Sequence, residues 1–211
     1  MKIVIMCGIS GSGKSTRIKN FYPYAKVFSA DHFFIRKNED NEEVYDFDPK
    51  LLGEAHNRCL EEFVDTLYEW NEYGCPERYK GLIVIDNTNT SILEITPYAQ
   101  LALAYRCELV IEIINCEIKT AIARNVHNVP AKVINGQARK LEQMLKYKQM
   151  PKWWEVSQIF EKDKYTCSDK YETNDNINEW INGELTVYNN PTFKSTDGKE
   201  NTKCSGEINK A

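Results

Sequence analysis

The chain has 211 residues, with 27 Lys and Arg against 31 Asp and Glu and a formal net charge of -4. That length suits one domain of ordinary size with an extension. The mild negative charge excludes a general electrostatic pull toward nucleic acid or anionic membrane and leaves only a local basic patch for such a partner.

KIVIM, residues 2–6, is a short, continuous apolar run rich in β-branched side chains, as in a strand buried on both faces. It is far too short to cross a membrane and has no cleavage region after it, so it reads as a strand rather than a signal peptide, and no membrane association is expected. GISGSGKS, residues 8–15, follows at once and fits GxxxxGK[ST] in full. A short helix must then end before Pro23. AKVFSAD, residues 25–31, reads as a second strand ending in Asp31. Residues 35–45 are polar and read as an exposed loop. Asp48 and Pro49 suit a helix start. The helix runs over 50–73, with Leu51, Leu52, Ala55, Cys59, Phe63, Leu67 and Trp70 on one wide apolar face.

GLIVID, residues 81–86, is a third buried strand, ending in Asp86, and NTNTS is a turn. Residues 96–107 form a short helix with Pro97 in its first turn, and 108–114 a fourth strand. A helix over 117–124 ends at Arg124, VHNVP breaks the chain, and 133–147 resumes a helix whose Gly136 weakens its first turn. Strand and helix alternate from 1 to about 124, which implies a parallel sheet covered on both faces. Right-handed crossovers put the P-loop, Asp31 and Asp86 on one edge, where open α/β sheets bind ligands. The expected organisation is a P-loop domain over 1–150 and a polar extension over 151–211. Residues 161–211 carry eight Asn, seven Lys and ten acidic residues, and beyond about 192 the composition predicts disorder. LTVYN in this stretch is strand-like, and PKWWEV is aromatic enough to pack back on the body. Seven scattered cysteines, none in CxxC, fit a reducing, intracellular compartment, cytoplasmic or nuclear, with Cys7 and Cys107 as small core fillers.

The glycine loop carries the clearest chemistry. Gly8, Gly11 and Gly13 let the backbone wrap closely, so the amides from Ser10 through Ser12 to the helix start turn toward phosphate oxygens. Lys14 then bridges the β- and γ-phosphates of ATP, Ser15 reaches Mg²⁺, and Thr16 helps hold the α-phosphate. Alone, the loop does not separate a kinase from another NTPase.

On the acceptor side Asp31 has three readings: it orients a hydroxyl and takes its proton, it holds a water on Mg²⁺, or it caps the next helix. His32 beside it is either catalytic or a surface or capping residue. Asp86, an Asp after an apolar strand, is placed as a Walker B carboxylate near the metal's water shell, and Asn87 and Asn89 either bond across the strand ends or simply make a polar turn. Arg124, Lys132, Arg139 and Lys140 either form a flap that meets transferring charge or are solvated surface. Phe33 and Phe34 either stack on a base or fill the core. The three histidines, His32, His56 and His127, share no metal-ligand spacing.

GISGSGKST, FSADHFF, YDFDPKLLGEAHNRC, VIDNTNT, ITPYAQLA and ARNVHNVP together resemble the P-loop family of polynucleotide 5′-hydroxyl kinases, and most of all the kinase-type domain of the NEDD4-binding protein 2 family and its short paralogues. The similarity covers about residues 1–150. It implies a three-layer α/β P-loop NTPase/kinase fold with a parallel sheet and a helical lid. It also implies Asp31 as the carboxylate engaging the 5′-hydroxyl, Asp86 and Asn89 in the D-x-T/N-N segment, and Arg124 as the lid arginine. The better studied kinases keep an arginine for the acceptor's phosphate three residues after the catalytic Asp. Here that position is Phe34, with Arg36 nearby but out of register. The lid's second arginine also lacks a clear match, with His127 or Arg139 as stand-ins. The expected activity is γ-phosphate transfer from ATP to the 5′-hydroxyl of a polynucleotide, a single-stranded or 5′-hydroxyl nucleic acid end. The alternatives are a small-molecule kinase acting on a nucleoside or metabolite and a non-catalytic ATP-binding interaction module.

Overall fold

A computed structural model describes residues 1–160 and 186–187. The expectations for most of the polar extension, including disorder after 192, lie outside the described residues.

The order of elements is β1 (Lys2–Cys7), α1 (Lys14–Phe21), β2 (Lys26–Phe28), a 3-10 turn (Ala30–Phe34), β3 (Ile35–Lys37), β4 (Glu43–Tyr45), α2 (Leu52–Tyr73), β5 (Leu82–Asp86), α3 (Ile92–Ala104), β6 (Glu108–Asn115), α4 (Ile118–Ala123), α5 (Ala131–Lys146), β7 (Glu155–Phe160) and β8 (Thr186–Val187). The main sheet runs β2-β5-β1-β6-β7-β8. Its first five strands are parallel, and β8 closes the edge antiparallel to β7.

The side-chain period of a strand explains why β1 reads as continuously apolar. Ile3, Ile5 and Cys7 point into a core shared with Phe63 and Leu67 of α2 and Ile95 and Ala99 of α3. Val4 and Met6 point to the other face, against Ile18 of α1, Val84 and Val110. These five side chains of β1 are fully buried. Each such burial stabilises the fold by about 1.5–3 kcal/mol. The result is the expected three-layer α/β architecture.

Four local expectations change. The strand predicted over 25–31 stops at Phe28, because the Ser29 hydroxyl accepts the Asp31 N–H at 3.3 Å and starts a 3-10 turn. Asp31 therefore sits in that turn and not in a strand. Residues 35–45 form a β-hairpin rather than a loop. Its β3 side chains are all exposed, so no apolar alternation marked it, and the Asn38 side chain closes the turn by accepting the Glu42 N–H at 2.8 Å. α3 begins at Ile92, which puts Pro97 inside the helix. The N–H that Pro97 lacks would have served Leu93, a residue on the exposed face where water can take the carbonyl. The sheet also continues past residue 150: β7 pairs with β6 from Val110↔Glu155 to Asn115↔Phe160. Among the described residues no helix is long and apolar enough to cross a membrane.

Candidate active site

The loop between β1 and α1 is built on backbone that only glycine enters readily. Gly11 has φ +79 and Gly13 φ +97. A Cβ on Gly11 would lie 2.1 Å from the Ala121 carbonyl oxygen, so α4 rests directly on the loop. The loop is tied at three further points. Gly8 N–H donates to Thr88 O at 2.8 Å, Ser10 N–H donates to the Gln137 side chain of α5 at 2.9 Å, and the Lys14 ammonium donates to Gly8 O and Ile9 O at 3.1 Å each. Burial pushes the Lys14 pKa down, while Asp86, Cys7 and Asp31 push it back up. The Ser12 hydroxyl is fully buried and has no hydrogen-bond partner among the described residues. A glycine cradle, a half-buried cation and an orphaned, buried hydroxyl fit a bound polyphosphate. Thr16 stands exposed in the first turn of α1.

Because β5 lies directly beside β1, with Met6 opposite Asp86, the end of β5 reaches the start of α1. The Ser15 hydroxyl donates to Asp86 Oδ2 at 2.9 Å. Burial raises the Asp86 pKa, and Lys14 and the Ser15 hydrogen bond offset part of that. A hydroxyl and a carboxylate in contact beside a phosphate cradle are a donor set that suits Mg²⁺.

The segment after β5 also fixes the Asp31 turn. The Ser29 hydroxyl donates to Asp86 O at 2.8 Å, and Ala30 N–H donates to the Asn87 side chain at 2.9 Å. Asn89, buried and with φ +44, donates from its side chain to Met6 O at 2.8 Å. Both asparagines thus bond across the strand ends. Asp31 itself is half-buried, its charge felt by Lys14 and Asp86. Its Oδ1 accepts a 2.7 Å hydrogen bond from the Tyr45 hydroxyl of the hairpin.

Phe34 is fully buried in the core, whereas half-buried Phe33 meets it edge-on at 5.2 Å and faces a cavity. That cavity, of about 440 Å³, lies between the 3-10 turn and α2 and is lined by Ser29, His32, Phe33, Arg36, Arg58 and Glu62 among others. Asp31 is not one of its lining residues. Arg36 lies 3.6 Å from Asp46 and Arg58 3.2 Å from Glu62, both exposed pairs. Such pairs are worth under about 1 kcal/mol, so an anionic ligand can replace them.

Arg124 caps the C-terminus of α4 and is exposed. Lys132 and Arg139 are exposed on α5, and Lys140 lies 3.9 Å from Glu94. His127, in the segment between α4 and α5, meets the Tyr45 ring at 4.7 Å. Lys14, Ser15, Asp86 and Asp31 therefore form one cluster. Tyr45, Gln137 and Arg58 join the site without having stood out in the sequence. Tyr45 and Arg58 lie within YDFDPKLLGEAHNRC, but neither was given a role there and Tyr45 also fell in a stretch read as loop, while Gln137 sits on a helix face that carries no motif.

A parallel sheet flanked on both faces, a glycine loop entering α1 from β1, and Asp86 at the end of the adjoining strand make a three-layer α/β fold of the P-loop NTPase type. The chain belongs to the family described as an AAA domain, which matches it over residues 3–151. It is 28% identical over 155 residues to human NEDD4-binding protein 2, a match that takes in 69% of this chain and only 8% of that protein. Among solved structures it is similar to a gluconokinase from Sinorhizobium meliloti, at 13% identity, with 68% of this chain and 76% of that one covered and a TM-score of 0.42. It is also similar to a chain of the Pnkp1/Rnl/Hen1 complex, at 17% identity, with 61% and 40% covered and a TM-score of 0.42.

Proposed function

We propose that this protein is a Mg²⁺- and ATP-dependent kinase that moves the γ-phosphoryl group to a hydroxyl of a small, anionic acceptor. The observation that carries the choice of acceptor is the cavity beside the Asp31 turn, which is of the size of one metabolite or nucleotide and has Arg36, Arg58 and Phe33 in its lining. The loop from Gly8 to Thr16, with Lys14, holds the triphosphate. Ser15 and Asp86 hold Mg²⁺, which when bound shields the phosphate charge. Asp31 orients the acceptor hydroxyl and takes its proton as the new oxygen–phosphorus bond forms and the bond to the β-phosphate oxygen breaks, leaving ADP. Arg124 covers the charge on the transferring group. Arg36 and Arg58 bind the acceptor's anionic group.

A second reading, transfer to a polynucleotide 5′-hydroxyl, draws support from the ordered set of motifs and from the half-exposed ring of Phe33, which offers a stacking surface for a terminal base. The test is transfer from γ-labelled ATP to a panel of nucleosides, nucleoside monophosphates, phosphorylated sugars and 5′-hydroxyl oligonucleotides. The expected result is a phosphate-bearing small acceptor whose KM rises about tenfold in Arg58→Ala, with the KM for ATP unchanged. Transfer to oligonucleotides alone overturns the small-acceptor reading in favour of the second.

A further inference from the structure

We propose that Tyr45 is a positioning residue, whose hydroxyl holds one oxygen of Asp31 so that the other faces the acceptor and whose ring sets the segment between α4 and α5 in register with that carboxylate. This rests on the kinase reading of Asp31. The need arises from the turn that carries Asp31. It is a 3-10 turn of five residues, and the terminal torsion of an aspartate is broad and two-fold, so a carboxylate without a partner swings freely. A proton acceptor has to stay within hydrogen-bond reach of one hydroxyl, and a misplacement of about 1 Å costs on the order of a hundredfold in rate.

The hairpin supplies the constraint. Ile35 pairs with Tyr45, and Asp46 N–H donates to Phe34 O at 2.8 Å, which folds β4 back over the turn. The Tyr45 ring is then held edge-on by Phe34 at 6.1 Å and lies parallel to Phe47 at 6.2 Å. From this seat its hydroxyl donates to Asp31 Oδ1 at 2.7 Å, while Oδ2 makes no hydrogen bond among the described residues. Burial, followed by the hydrogen bond and charge of Asp31, pushes the phenol's pKa up, so the hydroxyl stays protonated and remains a donor. The same ring meets His127 at 4.7 Å, three residues past Arg124. One side chain therefore touches both the proposed proton acceptor and the segment that leads from the proposed lid arginine.

The test is a set of single-turnover and steady-state transfer assays on the parent, Tyr45→Phe, Asp31→Asn and the double variant, each checked for an unchanged melting temperature. Tyr45→Phe keeps the ring and removes only the hydroxyl. It is expected to lower kcat about tenfold and leave the KM values for ATP and acceptor within twofold, and to cost nothing further in the Asp31→Asn background. Full kcat in Tyr45→Phe, or an equal loss in both backgrounds, overturns the role of Tyr45 while the kinase reading stands. A loss that appears in KM alone, or that follows a lowered melting temperature, also overturns it. A parent that transfers phosphate to no hydroxyl overturns the kinase reading, and the role of Tyr45 falls with it.

Discussion

Asp86 carries two opposed demands. Burial raises its pKa in the folded protein even after the attraction of Lys14 and the Ser15 hydroxyl is counted. Folding therefore favours the protonated acid. That stabilisation is complete below the ordinary carboxylate range and is lost as pH rises through the raised value, so at neutral pH the charge costs stability. Asp86→Asn is neutral throughout. It is expected to melt above the parent at pH 7, by a margin that vanishes on acidification below the ordinary carboxylate range, while Mg²⁺-dependent ATP binding weakens. Thermal melts across pH with parallel titration of ATP and Mg²⁺ check this, and a lower melting temperature at pH 7 contradicts it. Lys14, Ser15 and Asp86 were legible in the sequence because each sits in a short motif at a strand end. The hydrogen bond from Tyr45 to Asp31 was not. It spans 14 residues across a hairpin whose β3 side chains all face solvent, so no apolar period announced the fold-back.

Among the elements, the phosphate loop and the α4–α5 pair behave as one packed unit, and two glycines separate packing from propensity. Gly11 has a left-handed φ, and its missing Cβ is the space that the Ala121 carbonyl occupies. Gly11→Ala is expected to destabilise the protein by more than about 1 kcal/mol and to weaken ATP binding, because α4 must retreat from the loop. A Cβ on Gly136, inside α5, would meet nothing within 4 Å. Gly136→Ala is expected to add about 0.5–1 kcal/mol without changing ATP affinity. Denaturant melts and ATP titrations on the two variants check the contrast, and equal effects would contradict it. Most helices and buried strands could be read from periodicity, since burial on one or both faces leaves a pattern. β7 could not: EVSQIF mixes apolar and polar residues at the margin of the sheet, and only its pairing with β6 makes it a strand. β2 was read too long because a serine that caps a turn looks, in sequence, like one more strand residue.

At the scale of the whole molecule, the strand order does most to build the site. With β5 beside β1 and β2 beside β5, the glycine loop, Asp86 and the Asp31 turn meet at one edge of the sheet, and α4 and α5 close against the loop from the side of β6. The meeting of the glycine loop, Asp31 and Asp86 at one edge was legible from the alternation of strand and helix, but the strand order was not. The cavity proposed for the acceptor was not legible either, because it is assembled from the hairpin, the turn and α2, which have no common motif. The central claim is that the loop holds ATP while Asp31 serves the acceptor. The most direct measurement is γ-phosphate transfer and equilibrium ATP binding, side by side, for the parent, Lys14→Ala and Asp31→Ala. The account predicts that Lys14→Ala loses both binding and transfer, whereas Asp31→Ala binds ATP like the parent and transfers at least a hundredfold more slowly, of the order expected for a lost general base. Transfer by Asp31→Ala at the parent's rate, or ATP binding unchanged in Lys14→Ala, would contradict it.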